Sequence, residues 1–303
     1  MTQVIFALVP VFGAIALGNV LRRLSFLPDE GWAAFDRVNY FIFFPALIIH
    51  AIGTASFEGA MVLRMGGVLL AAIAVVAGGL LFFRPTLRIA APAFTSLFQC
   101  SIRWNGFVAL AASLTLFGPE GLSLVAIGMA VVVPTVNVLS VLVLTHSSGT
   151  LTSVRRIGRL LGTNPLIIAC AVGIFLNVTG IGLPGPTADF AQILGRAALA
   201  LGLLSVGAGL DLSLARSAKG TVALGTGLKL LVMPALVLIF AVLIGLEGLP
   251  LQVVMLIATV PTATSGYVLA RQLGGDAPLM AGLVTSTSLL AILTMPIWLA
   301  LVS

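Results

Sequence analysis

Long apolar runs alternate along the chain with short polar breaks, at intervals that suit helices crossing a lipid bilayer. A helix needs about 20 apolar residues to cross the hydrocarbon. Ten spans are predicted on that measure, near Gln3–Val20, Trp32–Ile52, Ala60–Phe83, Ala90–Phe117, Leu122–Leu144, Pro165–Val178, Ala188–Leu210, Thr221–Ile244, Pro250–Arg271 and Leu279–Val302. The sixth is the shortest, but Asn164-Pro165 marks its start well, because Asn caps and Pro is favoured at the first helical position. The first run, after Met1-Thr-Gln-Val, has no basic region ahead of it and reads as a span, not a cleaved signal.

Charge gives these spans a direction. The odd-numbered loops carry Arg22, Arg23, Arg84, Arg88, Arg155, Arg156, Arg159, Arg216, Lys219 and Arg271. The even-numbered loops carry no Lys or Arg and one acid each, Glu58, Glu120, Asp189 and Glu247. Basic loops stay in the cytoplasm. Both termini are therefore expected outside, in a multi-pass protein of the inner (plasma) membrane. Arg37, Arg64 and Arg196 lie near span ends, where their heads can reach the interface. Arg103 and Lys229 lie deeper.

Composition removes the soluble alternatives. The 303 residues are 60% apolar and 8% charged with a mean hydropathy of +1.21, whereas soluble domains carry about 25% charge. Ten crossings would use about 200 residues and leave no room for a separate soluble domain. The net charge of +6 is scattered between apolar runs, so nucleic acid is not an expected partner. Cys100 and Cys170 sit in apolar stretches, which argues against a disulfide framework or a metal site. No cofactor is implied.

The second half of the chain echoes the first. Asn19-Val20 recurs as Asn177-Val178 at an offset of 158 residues, each pair followed nine residues on by a proline, Pro28 and Pro186. Asn105-Gly106-Phe107-Val108 is matched by Ser265-Gly266-Tyr267-Val268 at an offset of 160, and Pro134 more loosely by Pro296 at 162. Five spans per half is an odd number, so the halves enter the membrane from opposite sides. Inverted repeats of this kind are the common architecture of secondary transporters. The expected organisation is a first repeat over 1–148, a basic cytoplasmic linker over 149–162 and a second repeat over 163–303.

The fourth and ninth spans are interrupted. Gln99, Ser101, Arg103, Asn105 and Gly106 break one; Thr259, Pro261, Thr262, Thr264, Ser265 and Gly266 break the other. Unwound backbone at that depth is tolerated only where it is buried in protein or lines a wet cavity. A broken helix also exposes free N–H groups and partial positive charge at the start of its second half, a setting that receives an anion. Read alone, Pro261 could simply kink a packed helix; the matched pair of breaks favours a substrate site.

Four motifs carry a family resemblance: Phe43-Phe44-Pro45-Ala46-Leu47, Arg103-Trp104-Asn105-Gly106, Leu204-Ser205-Val206-Gly207-Ala208-Gly209-Leu210, and the tract from Pro261 to Arg271. Together they make the chain resemble bacterial members of the auxin efflux carrier family over essentially its whole length. The resemblance implies the ten-helix fold shared with the bile acid–sodium symporters, with helices four and nine crossing at their breaks. It implies an elevator-type cycle in which helices three to five and eight to ten move against a scaffold of helices one, two, six and seven. It also implies an organic-anion substrate, auxin-like or a malonate- or malate-like carboxylate. Two features depart from plant members. No proline lies between Pro92 and Pro119, leaving Asn105 and Gly106 to break the fourth helix, and the third span lacks an acid.

Within this frame Arg103 is the expected carboxylate clamp, since a guanidinium holds a carboxylate by two parallel bonds; the alternative is a structural bond to carbonyls freed at the break. Asn105, Gly106, Pro261, Thr262, Thr264, Ser265 and Gly266 complete the substrate-binding set. Lys229 could stand in for a bound sodium or release its proton during the cycle, or else form a buried pair, for which Asp211 is one acid. His50 is a candidate proton relay or a plain core histidine. Partners are then the organic anion, protons or sodium as coupling ion, the lipid bilayer and a second copy of the chain as a homodimer. The rival functions are a sodium-coupled symporter of the bile-acid type, an anion channel and an intramembrane hydrolase. The last lacks a nucleophile with a base in reach, because His50 and His146 are the only histidines.

Overall fold

In lipid a backbone satisfies its own amides and carbonyls only as a helix or a closed barrel. The computed structural model describes residues 2–56, 58–147, 154–214 and 219–302, and every regular element among them is helical. The helices are α1 (Thr2–Arg23), α2 (Asp29–Val38), α3 (Phe44–Gly53), α4 (Gly59–Leu87), α5 (Ala91–Ile102), α6 (Gly106–Ser147), α7 (Val154–Gly162), α8 (Pro165–Val178), α9 (Gly185–Ala208), α10 (Lys219–Gly227), α11 (Met233–Leu243), α12 (Gly248–Thr259), α13 (Ser265–Leu273) and α14 (Ala277–Ala300). Short π-helical turns, Asn39–Phe43 and Leu228–Val232, join α2 to α3 and α10 to α11.

Among the described residues, seven helical stretches are long and apolar enough to cross a membrane, and Pro165–Val178 and Gly248–Thr259 are shorter apolar helices. The longest stretch, Ala91–Ser147, has 57 residues. At 1.5 Å per residue it would run to about 85 Å, more than twice the hydrocarbon thickness. It does not run straight. Gly118 (φ +67°) takes a left-handed turn open to glycine, and Pro119 restarts the helix. The apolar runs read from the sequence fall on these helices, and two of them, Ala90–Phe117 and Pro250–Arg271, each cover two helices separated by a break. The linker reading changes in one respect: its residues 154–162 form α7. Residues 148–153, where the halves were expected to meet, and Arg216 lie outside the described residues.

Local chemistry fixes the helix ends. The Asn164 side chain accepts from the amides of Leu166 (2.9 Å) and Ile167 (3.3 Å) at the start of α8. Asp276 caps α14 by accepting from Leu279 N (2.9 Å), while its own N–H and carbonyl bond Pro92 and Ser96 at the start of α5. That pins the start of α14 to α5.

Two groups of helices result. α1 packs along α9 and α3 along α8 and α9; α4, α5 and α10 to α14 pack on one another, and contact between the groups runs mainly through α6 and α14. The α1–α9 approach is close. A Cβ on Gly18 would lie 2.0 Å from the Leu204 carbonyl oxygen, and one on Gly207 would lie 1.8 Å from that of Ile15. Two bonds repeat across the chain. Asn19 donates to the carbonyls of Gly207 and Leu210 (both 3.2 Å), at the end of α9. Asn177, its match at the 158-residue offset, donates to those of Ile52 (3.0 Å) and Ala55, at the end of α3.

Candidate functional site

The first break opens where α5 ends. Arg103 is extended (φ −84°, ψ 161°), so the helix cannot continue through it, and its N–H closes the last turn on Gln99 O (3.0 Å). Asn105 then starts α6: its side-chain oxygen accepts from Val108 N (3.2 Å) and its carbonyl from Ala109 N (3.0 Å). That is an N-cap, one of the positions where Asn stabilises a helix best. At the second break Val260 is extended (ψ 153°), as a residue before proline prefers. α12 stops there, and α13 begins at Ser265.

The breaks meet. Asn105 N donates to Pro261 O at 2.8 Å, joining two peptides that lie 156 positions apart in sequence. Thr262 N donates to Thr287 Oγ1 of α14 at 3.3 Å. The crossing therefore gathers two helix C-termini, of α5 and α12, and two N-termini, of α6 and α13. Buried polar atoms around it go without a hydrogen-bond partner: both amide atoms of Gln99, Arg103 Nε and Asn105 Nδ2. Groups in that condition mark a place where water or a ligand completes the bonding.

Two cations are buried near the crossing and differ in what they hold. Lys229 is 2% exposed, and its ammonium donates to Ala258 O (3.1 Å), a carbonyl in the last turn of α12. A cation there meets the partial negative charge of the helix C-terminus. Asp211 is not its partner. The Asp211 carboxylate accepts from the Ser213 hydroxyl (2.5 Å) and the amides of Ser213 and Leu214, bonds that hold it below the usual carboxylate range. Arg103 is 4% exposed, and both its terminal nitrogens donate to Asn137 Oδ1, at 3.0 and 2.7 Å. Among the described residues no carboxylate lies within ion-pair distance of either cation, and the ion pair found there is Arg22–Asp29. A guanidinium has five donors, and two of them are used.

A cavity of about 1340 Å³ opens on this point. Its lining includes Arg103, Asn105, Gly106, Thr264 and Ser265 at the crossing and Tyr40, Phe44 and Phe107 on its walls. It reaches Arg22, Arg23, Thr163 and Ser213, at the end of the molecule that carries the basic loops. The Phe44 and Phe107 rings pack with centroids 4.3 Å apart between the two helix groups. The remaining site residues named from sequence lie elsewhere. Pro261 contributes its carbonyl to Asn105, Thr262 is buried behind it, and Gly266 packs against Met280. Lys229 is behind the crossing. His50 is on α3 within electrostatic reach of Asp189 and does not line the cavity.

Sequence reasoning missed Asn137. It is a single amide in the apolar tract Val136-Asn137-Val138, 34 positions from Arg103, and no repeat partner drew attention to it. Its one signal was a polar side chain inside a predicted span, which usually faces a cavity or a partner.

Over residues 3–299 the sequence matches the family of membrane transport proteins. It is also similar to a protein of Methanothermobacter thermautotrophicus named as an uncharacterized transporter. The two are 26% identical over 297 residues, which cover 94% of this chain and 93% of that protein.

Proposed function

The chain belongs to the membrane transport protein family, the auxin efflux carrier family that its motifs resemble, and from that premise we propose that it carries a small organic anion across the inner membrane. Its integral, multi-pass character follows from the family and the apolar helices. The anion, a mono- or dicarboxylate, sits at the crossing of α5–α6 with α12–α13. Arg103 holds it, and Asn105, Gly106, Thr264 and Ser265 surround it. The observation that carries this reading is the buried Arg103 guanidinium lining the cavity, with no carboxylate in ion-pair reach among the described residues. A charge that deep is costly without a counter-charge, and an anionic substrate supplies one.

The wider reading is a secondary transporter of ten crossings in two inverted repeats. The reciprocal bonds of Asn19 and Asn177 support the repeat, and the two helix groups support an elevator cycle. α4–α6 and α10–α14 would move as the carrier, and α1–α3, α8 and α9 would serve as the scaffold. The cavity reaches the end with the basic loops, so this conformation is read as open to the cytoplasm. Lys229, neutralising the end of α12, occupies the position where a coupling cation would serve.

Purified protein tested by thermal shift against malonate, malate, lactate and indole acetate should be stabilised by at least one of them. Loss of two hydrogen bonds to a charged group, about 1.5–3 kcal/mol each, corresponds to at least a 100-fold fall in uptake for Arg103→Ala in proteoliposomes. Wild-type uptake by a folded Arg103→Ala protein would refute the role.

A further inference from the structure

The guanidinium that should hold the substrate already holds something. Asn137 Oδ1 accepts from both terminal nitrogens of Arg103, the two donors that would otherwise grip a carboxylate. Asn137 is half-buried and lines the same cavity. Its oxygen therefore sits where one oxygen of a bound carboxylate would sit, on the same cation and reached from the same space. We propose that Asn137 is a built-in surrogate ligand, which occupies Arg103 when the site is empty and is displaced by the incoming anion. This inference rests on the anion-carrier reading above.

The reason lies in what an empty carrier must do. A guanidinium enclosed with no acceptor at all pays the full cost of lost hydration. A neutral amide oxygen restores two bonds to it without neutralising its charge. Because the amide is neutral, a carboxylate outcompetes it; because it is tethered, it returns when the carboxylate leaves. Anion binding is then an exchange of acceptors on one cation, and the empty site can close with its donors partly satisfied. The local helix suits a moving partner. Pro134, three residues before Asn137, has no N–H to bond the preceding turn, and Thr135 Oγ1 turns back to Val131 O (3.0 Å). Asn137 thus becomes a positioning residue that sets both affinity and the ability to return unloaded.

Two variants test this with purified protein and proteoliposomes, using malonate, malate, lactate and indole acetate as probes. Asn137→Asp places a permanent carboxylate on Arg103. It should leave the protein folded and at least as heat-stable, and weaken binding of whichever probe binds the wild type by 100-fold or more. Asn137→Leu removes the surrogate. It should bind that probe as tightly as wild type or tighter and retain exchange of internal for external anion, while net uptake into empty vesicles falls at least tenfold. A residue that merely packed against Arg103 would show neither the blocking by Asp nor the split between exchange and net uptake. Asn137→Asp protein that binds the probe with wild-type affinity overturns the proposal, as does Asn137→Leu protein whose exchange and net uptake fall together. If no probe binds the wild type, the anion-carrier reading fails first and takes this one with it; if a probe binds and requires Arg103, only the surrogate is at stake.

Discussion

At the α5–α6 break the chain uses an amide and a glycine, Asn105 and Gly106; at the α12–α13 break it uses a proline and hydroxyls, Pro261, Thr262 and Thr264. Each break has one buried cation, and the two are bonded differently. Lys229 donates to a backbone carbonyl, Ala258 O, which is fixed in the last turn of α12. Arg103 donates to a side-chain oxygen on the far leg of α6, which lines the open cavity. A carbonyl inside a helix cannot leave its cation without unwinding, whereas an asparagine side chain needs only a rotamer change. One cation is committed to the architecture, and the other is free to exchange its acceptor.

The sharpest way to break that contrast is to change each cation conservatively. Lysine cannot offer a planar fork, so Arg103→Lys should weaken anion binding by about 10- to 100-fold, or roughly 1.4–2.8 kcal/mol. Lys229→Gln keeps an N–H donor for Ala258 O and does not touch the cavity, so its binding should stay within about threefold of wild type. Isothermal titration with the best-binding carboxylate reads both. Equal losses would mean that the two cations belong to one site.

The glycines of the two breaks differ in the room around them. A Cβ on Gly266 would stand 2.3 Å from Met280 Cε, which must move; one on Gly106 would stand 3.0 Å from Met129 Cε and 3.3 Å from Phe44 Cζ. Overpacking typically costs about 1–3 kcal/mol. Gly266→Ala is therefore expected to lower stability by about 1–2 kcal/mol, softened because a methionine tip can swing aside, and Gly106→Ala by less than about 1. Melting temperatures in detergent would show the order. The reverse order would place the tighter packing at the first break.

The same comparison explains what could be read from the sequence. Both breaks were legible, because Asn105-Gly106 and the tract Pro261–Gly266 interrupt apolar runs with residues whose backbone chemistry is known in advance. The Asn164 cap and the Asn19/Asn177 pair were legible for the same reason, being local signals or repeats of one. The partners of the two cations were not. Ala258 O is a backbone atom and leaves no mark in composition, and counting acids suggested Asp211, which turns instead to Ser213. Asn137 reaches Arg103 only because α6 turns at Gly118 and brings its second leg back along the first break, a tertiary fact that no helical period encodes. The π-helical turns at Asn39–Phe43 and Leu228–Val232 were equally hidden, since one extra residue in a turn barely changes an apolar pattern.

The smallest expected effect separates the two N-termini at the crossing. Asn105 caps α6 through Val108 N, and replacing an Asn cap by Ala costs about 1 kcal/mol. Ser265 opens α13 with its side chain exposed toward the cavity, and the first amides of that helix are already taken up by the carbonyls of Ala263 and Thr264. Asn105→Ala should therefore melt a few degrees lower and Ser265→Ala at the wild-type temperature. Asn105→Ser restores a capping oxygen on a shorter arm, so it should recover the stability. If it does so while anion binding stays weak, the Asn105 amide, whose Nδ2 has no protein acceptor, is itself a donor to the substrate. If binding returns with stability, Asn105 only shapes the break, and recognition at the first crossing falls to Arg103.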